Sequence, residues 1–242
     1  MARLLASEWI KLRRSIIWLL LPASPLLAFV ACWRSSLDSG GAQAWREVLA
    51  VGAMVHGYLF LPLLVGIFAA LLCRFEHASG GWKQLLALPV RPAAVYGAKL
   101  AAIMALAAIL QLLMCAAIAG AGLLRGLDAP VPWGMIGMSA FGGWLACLPL
   151  AALQLLASTA FQSFAAPLAV NVVFTLPNML VANSRDFAPW YPWVQPLLAM
   201  VPQDTYGFGA FNVSLETLLA VIGGSFLVFL CSGLLYFVRR AV

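Results

Sequence analysis

Apolar runs of about twenty residues alternate with short polar interruptions along this chain, and the alternation predicts six membrane-crossing helices. The runs extend over about Ser15 to Trp33, Val48 to Cys73, Val95 to Leu124, Trp133 to Ser158, Ala165 to Ala182 and Leu215 to Val238. Ahead of the first, MARLLASEWIKLRR (Met1 to Arg14) places Leu4, Leu5, Glu8, Trp9 and Leu12 near one stripe, with Arg3, Lys11, Arg13 and Arg14 mostly around it. That is the pattern of an interfacial helix on an anionic leaflet. The first apolar run carries Pro22 and Pro25 and no small-residue cleavage site, so it is expected to stay in place as a span. The expected fold class is all-α integral membrane, with residues 1–242 forming one membrane domain.

The polar interruption from Arg74 to Lys99 is long, and both of its flanks are spans. It contains Glu76 and His77, a Ser79-Gly80-Gly81 hinge, and a run in which Trp82, Leu85, Leu86 and Pro89 recur at helical spacing while Lys83 and Gln84 lie off that face. Two readings fit this spacing: a short helix lying across a membrane surface, and a basic loop held at the headgroups. The other long interruption, 183–214, mixes Trp190, Tyr191 and Trp193 with Pro189, Pro192 and Pro196 before the apolar stretch Leu197 to Val201. It is expected to form one or two short helices dipping back into the outer leaflet, with a turn near Gln203-Asp204; the competing reading is an irregular loop with an aromatic belt.

Charge sets the orientation. If the N-terminus is cytoplasmic, the inner side holds Arg3, Lys11, Arg13, Arg14, Arg74, Lys83, Arg91, Lys99, Arg239 and Arg240, ten of the 14 Lys and Arg. Arg34, Arg46, Arg125 and Arg185 fall outside. The excess places both termini and the 74–94 loop in the cytoplasm and 183–214 outside it. The net charge of +6 is thereby a topology signal, with no separate basic patch for nucleic acid. Hydrophobic residues make up 64% of the chain and charged residues 9%, with a mean hydropathy of +0.99, which leaves no room for a soluble catalytic domain.

Catalytic chemistry is absent from the pattern. GxxxxGK[ST], HExxH and GxSxG do not occur, and His56 and His77 are the only histidines. The five cysteines sit in separate apolar runs without metal-ligand spacing, as small apolar residues would. No span has a charge at its centre, which weighs against an ion-coupled carrier. The spans do carry Gln111, Gln154, Asn171 and Asn178, which are candidates for a substrate pathway along a central seam or for hydrogen bonds between helices.

Taken together, SEWIKLRRS (Ser7 to Ser15), six spans, FEHASGGWKQLLALPVRP after the second span, and a long outer loop before the last resemble the membrane subunits of ABC-2 type transporters. The likeness is greatest to the small permeases of lantibiotic-immunity and bacitracin-type export. It covers nearly the whole chain. Glu76, Gly80 and Leu88-Pro89-Val90 match the family's acid, glycine and terminal Leu-Pro-Val, and Lys99-Leu100 matches the basic opening of the third span, whereas His77 and the doubled Gly80-Gly81 depart from it.

The resemblance implies that the loop is a coupling helix docking on a separate ATPase dimer through Glu76, His77, Gly80, Trp82, Lys83, Leu86, Leu88, Pro89 and Arg91, with Trp82 and Leu86 as buried anchors. It also implies ATP and Mg²⁺ in that partner and no cofactor here, and a second permease, identical or related, in a bacterial cytoplasmic membrane. The implied function is export of an amphipathic antimicrobial peptide. Another cargo (drug, lipid or ion), or a membrane anchor that transports nothing, would leave much the same sequence.

Overall fold

A computed structural model describes residues 2–13, 15–37, 39–78, 80–87, 89–202, 211 and 213–240. Its regular elements are all helical among these residues. In chain order they are α1 (Ala2–Leu12), α2 (Ile17–Leu20), α3 (Ala23–Arg34), α4 (Gly41–Val55), a π-helical turn (His56–Phe60), α5 (Leu61–Ala78), α6 (Gly81–Leu86) and α7 (Pro92–Leu124). There follow α8 (Trp133–Ala160), α9 (Ala165–Thr175), α10 (Asn178–Val181), a 3₁₀ turn (Ala188–Trp190), α11 (Gln195–Met200) and α12 (Leu215–Arg240).

Among the described residues five helical segments are long and apolar enough to cross a membrane: Ile17–Arg34, Gly41–His77, Pro92–Leu124, Trp133–Ala160 and Leu215–Arg239. The expected fifth of six spans departs from prediction. Ala165–Val181 is a shorter apolar segment divided into α9 and α10 at Pro177, which has no N–H to continue the ladder. The expected second span is longer than its apolar core, because the helix already begins at Gly41 in the supposed polar link. Trp45 explains the extension: its ring lies against Gly122 of α7 and its Nε1 donates to the Ala129 carbonyl at 3.0 Å. Arg46 points away and is exposed. At 1.5 Å per residue the 37-residue Gly41–His77 segment is about 55 Å long, well beyond the roughly 30 Å of a hydrocarbon core.

Helices α7 and α8 form the centre of the bundle, through residues such as Ile103, Leu106, Leu110, Leu150 and Leu155. Within 183–202 the 3₁₀ turn and α11 are short packed pieces, with Val194, Leu197 and Met200 buried and α11 against α8, α4 and the π turn, while Phe187 and Trp190 are exposed. Gly57 and Gly142 permit that approach, since a Cβ on either would meet the α11 backbone at 3.0 and 2.8 Å. The turn expected at Gln203-Asp204 lies outside the described residues.

The bundle thus has two ends. One gathers α1, α6 and the adjoining ends of α5, α7, α8, α9 and α12. At the other, Arg125 Nη1 donates to the carbonyls of Cys32 (2.6 Å) and Ser35 (2.7 Å), fixing the C-terminus of α3, where the helix dipole favours a cation.

Candidate functional site

The end that gathers α1 and α6 contains a cluster of four charges. Glu8 lies on the α1 stripe with Leu12, and these two are turned inward at 3% and 0% exposure, whereas Leu5 and Trp9 of the same stripe are exposed. Lys11 follows one turn later, Glu76 lies in the last turn of α5, and Lys99 sits two turns into α7. Lys99 Nζ lies 3.1 Å from Glu8 Oε2 and 3.0 Å from Glu76 Oε1, and donates to the Leu72 carbonyl at 2.9 Å. Lys11 Nζ lies 2.8 Å from Glu8 Oε1 and 2.5 Å from Glu76 Oε1. Two acids and two bases cancel, which is what makes burial of Glu8, Glu76 and Lys99 tolerable. Burial draws the Lys11 pKa down, but the hydrogen bonds and charges of Glu76 and Glu8 outweigh it and raise the value above the ordinary 10.5.

Next to this cluster the chain reverses. Gly80 has φ +63°, a left-handed conformation that glycine adopts without Cβ strain, and α6 starts immediately after it. Arg91 is extended before Pro92, which takes the first position of α7. Between them, Trp82 is half-buried against its own chain. Its ring meets Phe237 of α12 edge-on with centroids 5.2 Å apart, and the Lys99 ammonium lies 5.4 Å from its centroid. Trp82 Nε1 donates to His77 Nδ1 at 3.3 Å, and His77 Nε2 is 2.8 Å from the Ser158 carbonyl. An indole N–H only donates, so Nδ1 accepts and the ring proton sits on Nε2, directed at Ser158 of α8. Trp82 therefore links α6 to α5, α7 and α12 directly, and to α8 through His77.

The residues expected on a coupling helix divide accordingly. Glu76, His77 and Trp82 turn into the bundle, whereas Gly80, Lys83, Gln84, Ala87, Pro89 and Arg91 are exposed. Leu86 belongs to α6, and Leu88 lies outside the described residues, as does Ser79 of the hinge.

The second group of expected polar residues lies deeper. Asn171 Nδ2 donates to the carbonyls of Pro62 and Leu63, and its Oδ1 accepts from Gln154 Nε2 (3.1 Å) and Trp193 Nε1 (2.8 Å). Asn178 Nδ2 donates to Tyr58 O and Trp193 O. Gln111 is buried with its Nε2 3.5 Å from the Met200 sulfur. These contacts join α5, α7, α8, α9, α10 and the 183–202 segment, and none of the four residues lines the apolar cavity of about 400 Å³ between α8, α11 and α12.

Glu8, Lys11, Ser158 and Phe237 were not among the expected site residues. Glu8 did leave a signal, an acid on the apolar stripe of α1, whereas Phe237 is an ordinary apolar residue of the last span. No cluster of His, Cys, Asp or Glu suited to a metal ion occurs among the described residues.

Comparison with protein families matches residues 4–178 to the family described as ABC-2 family transporter protein. No curated protein and no solved structure matches the chain. The matched stretch takes in the charge cluster, α6 and Asn171 with its partners Pro62, Leu63 and Gln154, and covers well over half of the sequence, so this all-helical membrane protein belongs to the ABC-2 transporter family.

Proposed function

We propose that the chain is the permease subunit of an ABC exporter, driven by a separate ATPase subunit that binds ATP and Mg²⁺. The observation that carries this reading is the two-sided α6, whose outer residues Lys83 and Gln84 are exposed while Trp82 grips α5, α7 and α12. A partner that closes on nucleotide and pushes the outer face would move several helix ends through one side chain. Docking then falls to Lys83, Gln84, Pro89 and Arg91, and Glu76 and Trp82 transmit force inside the permease.

The basic excess at this end supports a cytoplasmic location for it and for both termini in a bacterial plasma membrane. A second permease, a copy or a related chain, completes the transporter. The cargo is an amphipathic antimicrobial peptide, as in self-immunity or resistance. The 400 Å³ cavity, lined by Met135, Met138, Phe141, Met200 and Leu218, with Ser139 its one polar lining side chain among the described residues, suits an apolar cargo face.

The test is expression of this permease with its ATPase in a peptide-sensitive host, beside an ATPase whose phosphate-binding lysine is replaced. The reading predicts peptide tolerance that requires the intact ATPase. Equal tolerance with both ATPases would exclude antimicrobial export, and failure of any ATP-binding subunit to co-purify would exclude the permease reading itself.

A further inference from the structure

A recess opens at the end that gathers α1 and α6, on the far side of His77 from Trp82. A pocket of about 220 Å³ is lined by Arg74 and His77 of α5, Ser158 of α8, Pro167 of α9 and the connecting residues Gln162, Ser163 and Phe164. Three features give it anion-binding character. Arg74 is exposed and has no ion pair with a carboxylate among the described residues; its guanidinium carbon instead lies 5.4 Å from the Phe164 ring centroid. The N-terminus of the eleven-residue α9 opens beside it and turns its positive dipole end toward it, although the Ala165 N–H is already engaged by Ser163 Oγ at 3.2 Å and Pro167 has no N–H. Ser158 is 1% exposed, lines the pocket, and its hydroxyl has no hydrogen-bond partner among the described residues. A buried hydroxyl without a partner is costly unless a ligand supplies one.

Among the described residues no carboxylate lines the recess. His77 presents no free donor there, because Nε2–H is engaged by the Ser158 carbonyl and Nδ1 by Trp82. A cation, an oriented helix end and an unpaired hydroxyl converge on a space large enough for a phosphate ester. Phe164, one of its lining residues, is exposed, in the amphipathic setting of a membrane interface.

We propose that this recess binds a phosphate ester anion, with Arg74 as the charge partner and Ser158 Oγ as the buried hydrogen-bond donor. The phosphate comes either from a phospholipid headgroup in the adjoining leaflet or from a free phosphate.

The experiment uses the full-length purified protein, delipidated in mild detergent, and measures binding by thermal shift and by native mass spectrometry. The probes are dioctanoyl phosphatidylglycerol, dioctanoylglycerol, which lacks the phosphate, and inorganic phosphate. Retention of phosphatidylglycerol but not dioctanoylglycerol, with about tenfold or greater weakening in Arg74→Gln and partial rescue in Arg74→Lys, supports a headgroup site. Stabilisation by inorganic phosphate with the same dependence on Arg74 supports a free-phosphate site. Ser158→Ala should weaken whichever probe binds while leaving the unliganded melting temperature unchanged or raised. Equal binding of the two lipids, no binding of any probe, or binding unchanged in both Arg74→Gln and Ser158→Ala overturns the assignment.

Discussion

Lys99 Nζ lies 3.1 Å from Glu8 Oε2, so a contact between residues 91 positions apart fastens the amphipathic N-terminal helix to the first turns of α7. Glu8→Gln leaves Lys11 and Lys99 sharing one carboxylate. Removing one partner of a buried ion group costs about 3–5 kcal/mol, and partial solvent access at Lys11 moves the expectation toward the lower figure. Glu8→Gln combined with Lys11→Gln restores neutrality and should recover part of the loss. Unfolding in detergent measures both, and proteolysis near residue 12 reports whether α1 has come away.

The alkaline response of α1 follows from Lys11, whose pKa is raised in the fold by Glu76 and Glu8 against the opposing effect of burial. A raised value means that the folded state holds this proton more tightly. The contribution is complete below the ordinary 10.5 and disappears as pH rises through the folded value. Anchoring of α1, read by proteolysis, should therefore be independent of Lys11 titration from about pH 6 to about pH 9 and weaken only beyond about 10.5. In Lys11→Met the alkaline weakening should shrink.

Trp82 offers a separation of docking from transmission. Trp82→Phe keeps a ring against Phe237 but loses the donor to His77, and Trp82→Ala loses both. Substitutions along a coupling route change coupling by about 0.5–2 kcal/mol, so transport should fall roughly 2- to 30-fold, more in Trp82→Ala than in Trp82→Phe. The ATPase subunit should still co-purify with both variants. Its loss from Trp82→Phe would return Trp82 to the docking surface.

Asn171 ties α9 to α5, α8 and Trp193. Asn171→Leu orphans the Gln154 and Trp193 donors, with an expected cost of about 1–3 kcal/mol in an unfolding titration. Gly66→Ala should destabilise in the same direction, because its Cβ would collide with the Asn171 amide.

Much of this architecture was legible in the apolar runs. Long, uninterrupted segments such as Pro92–Leu124 are set by composition alone, since a bilayer leaves the backbone few alternatives to a helix. The short, broken segment at Ala165–Val181 was less legible, because hydropathy does not register that Pro177 divides it. The early start of the second span escaped because Trp45 is buried by a distant partner, Gly122, which no local pattern reveals. At the candidate site, Glu76, Trp82 and Lys99 stood out as residues, but their inward direction depends on Glu8 and Phe237, which are distant in sequence.

The central claim is that a separate ATPase docks on the exposed face of α6. The most direct measurement places a photo-crosslinking side chain at Lys83 and, as a control, at Arg46 near the opposite end, in the assembled transporter. The account predicts that Lys83 captures an ATP-binding subunit, identified by mass spectrometry, in a yield that changes with added nucleotide, and that Arg46 captures none. Capture of that subunit from Arg46, or its absence from Lys83 in a complex that still hydrolyses ATP, would contradict the account.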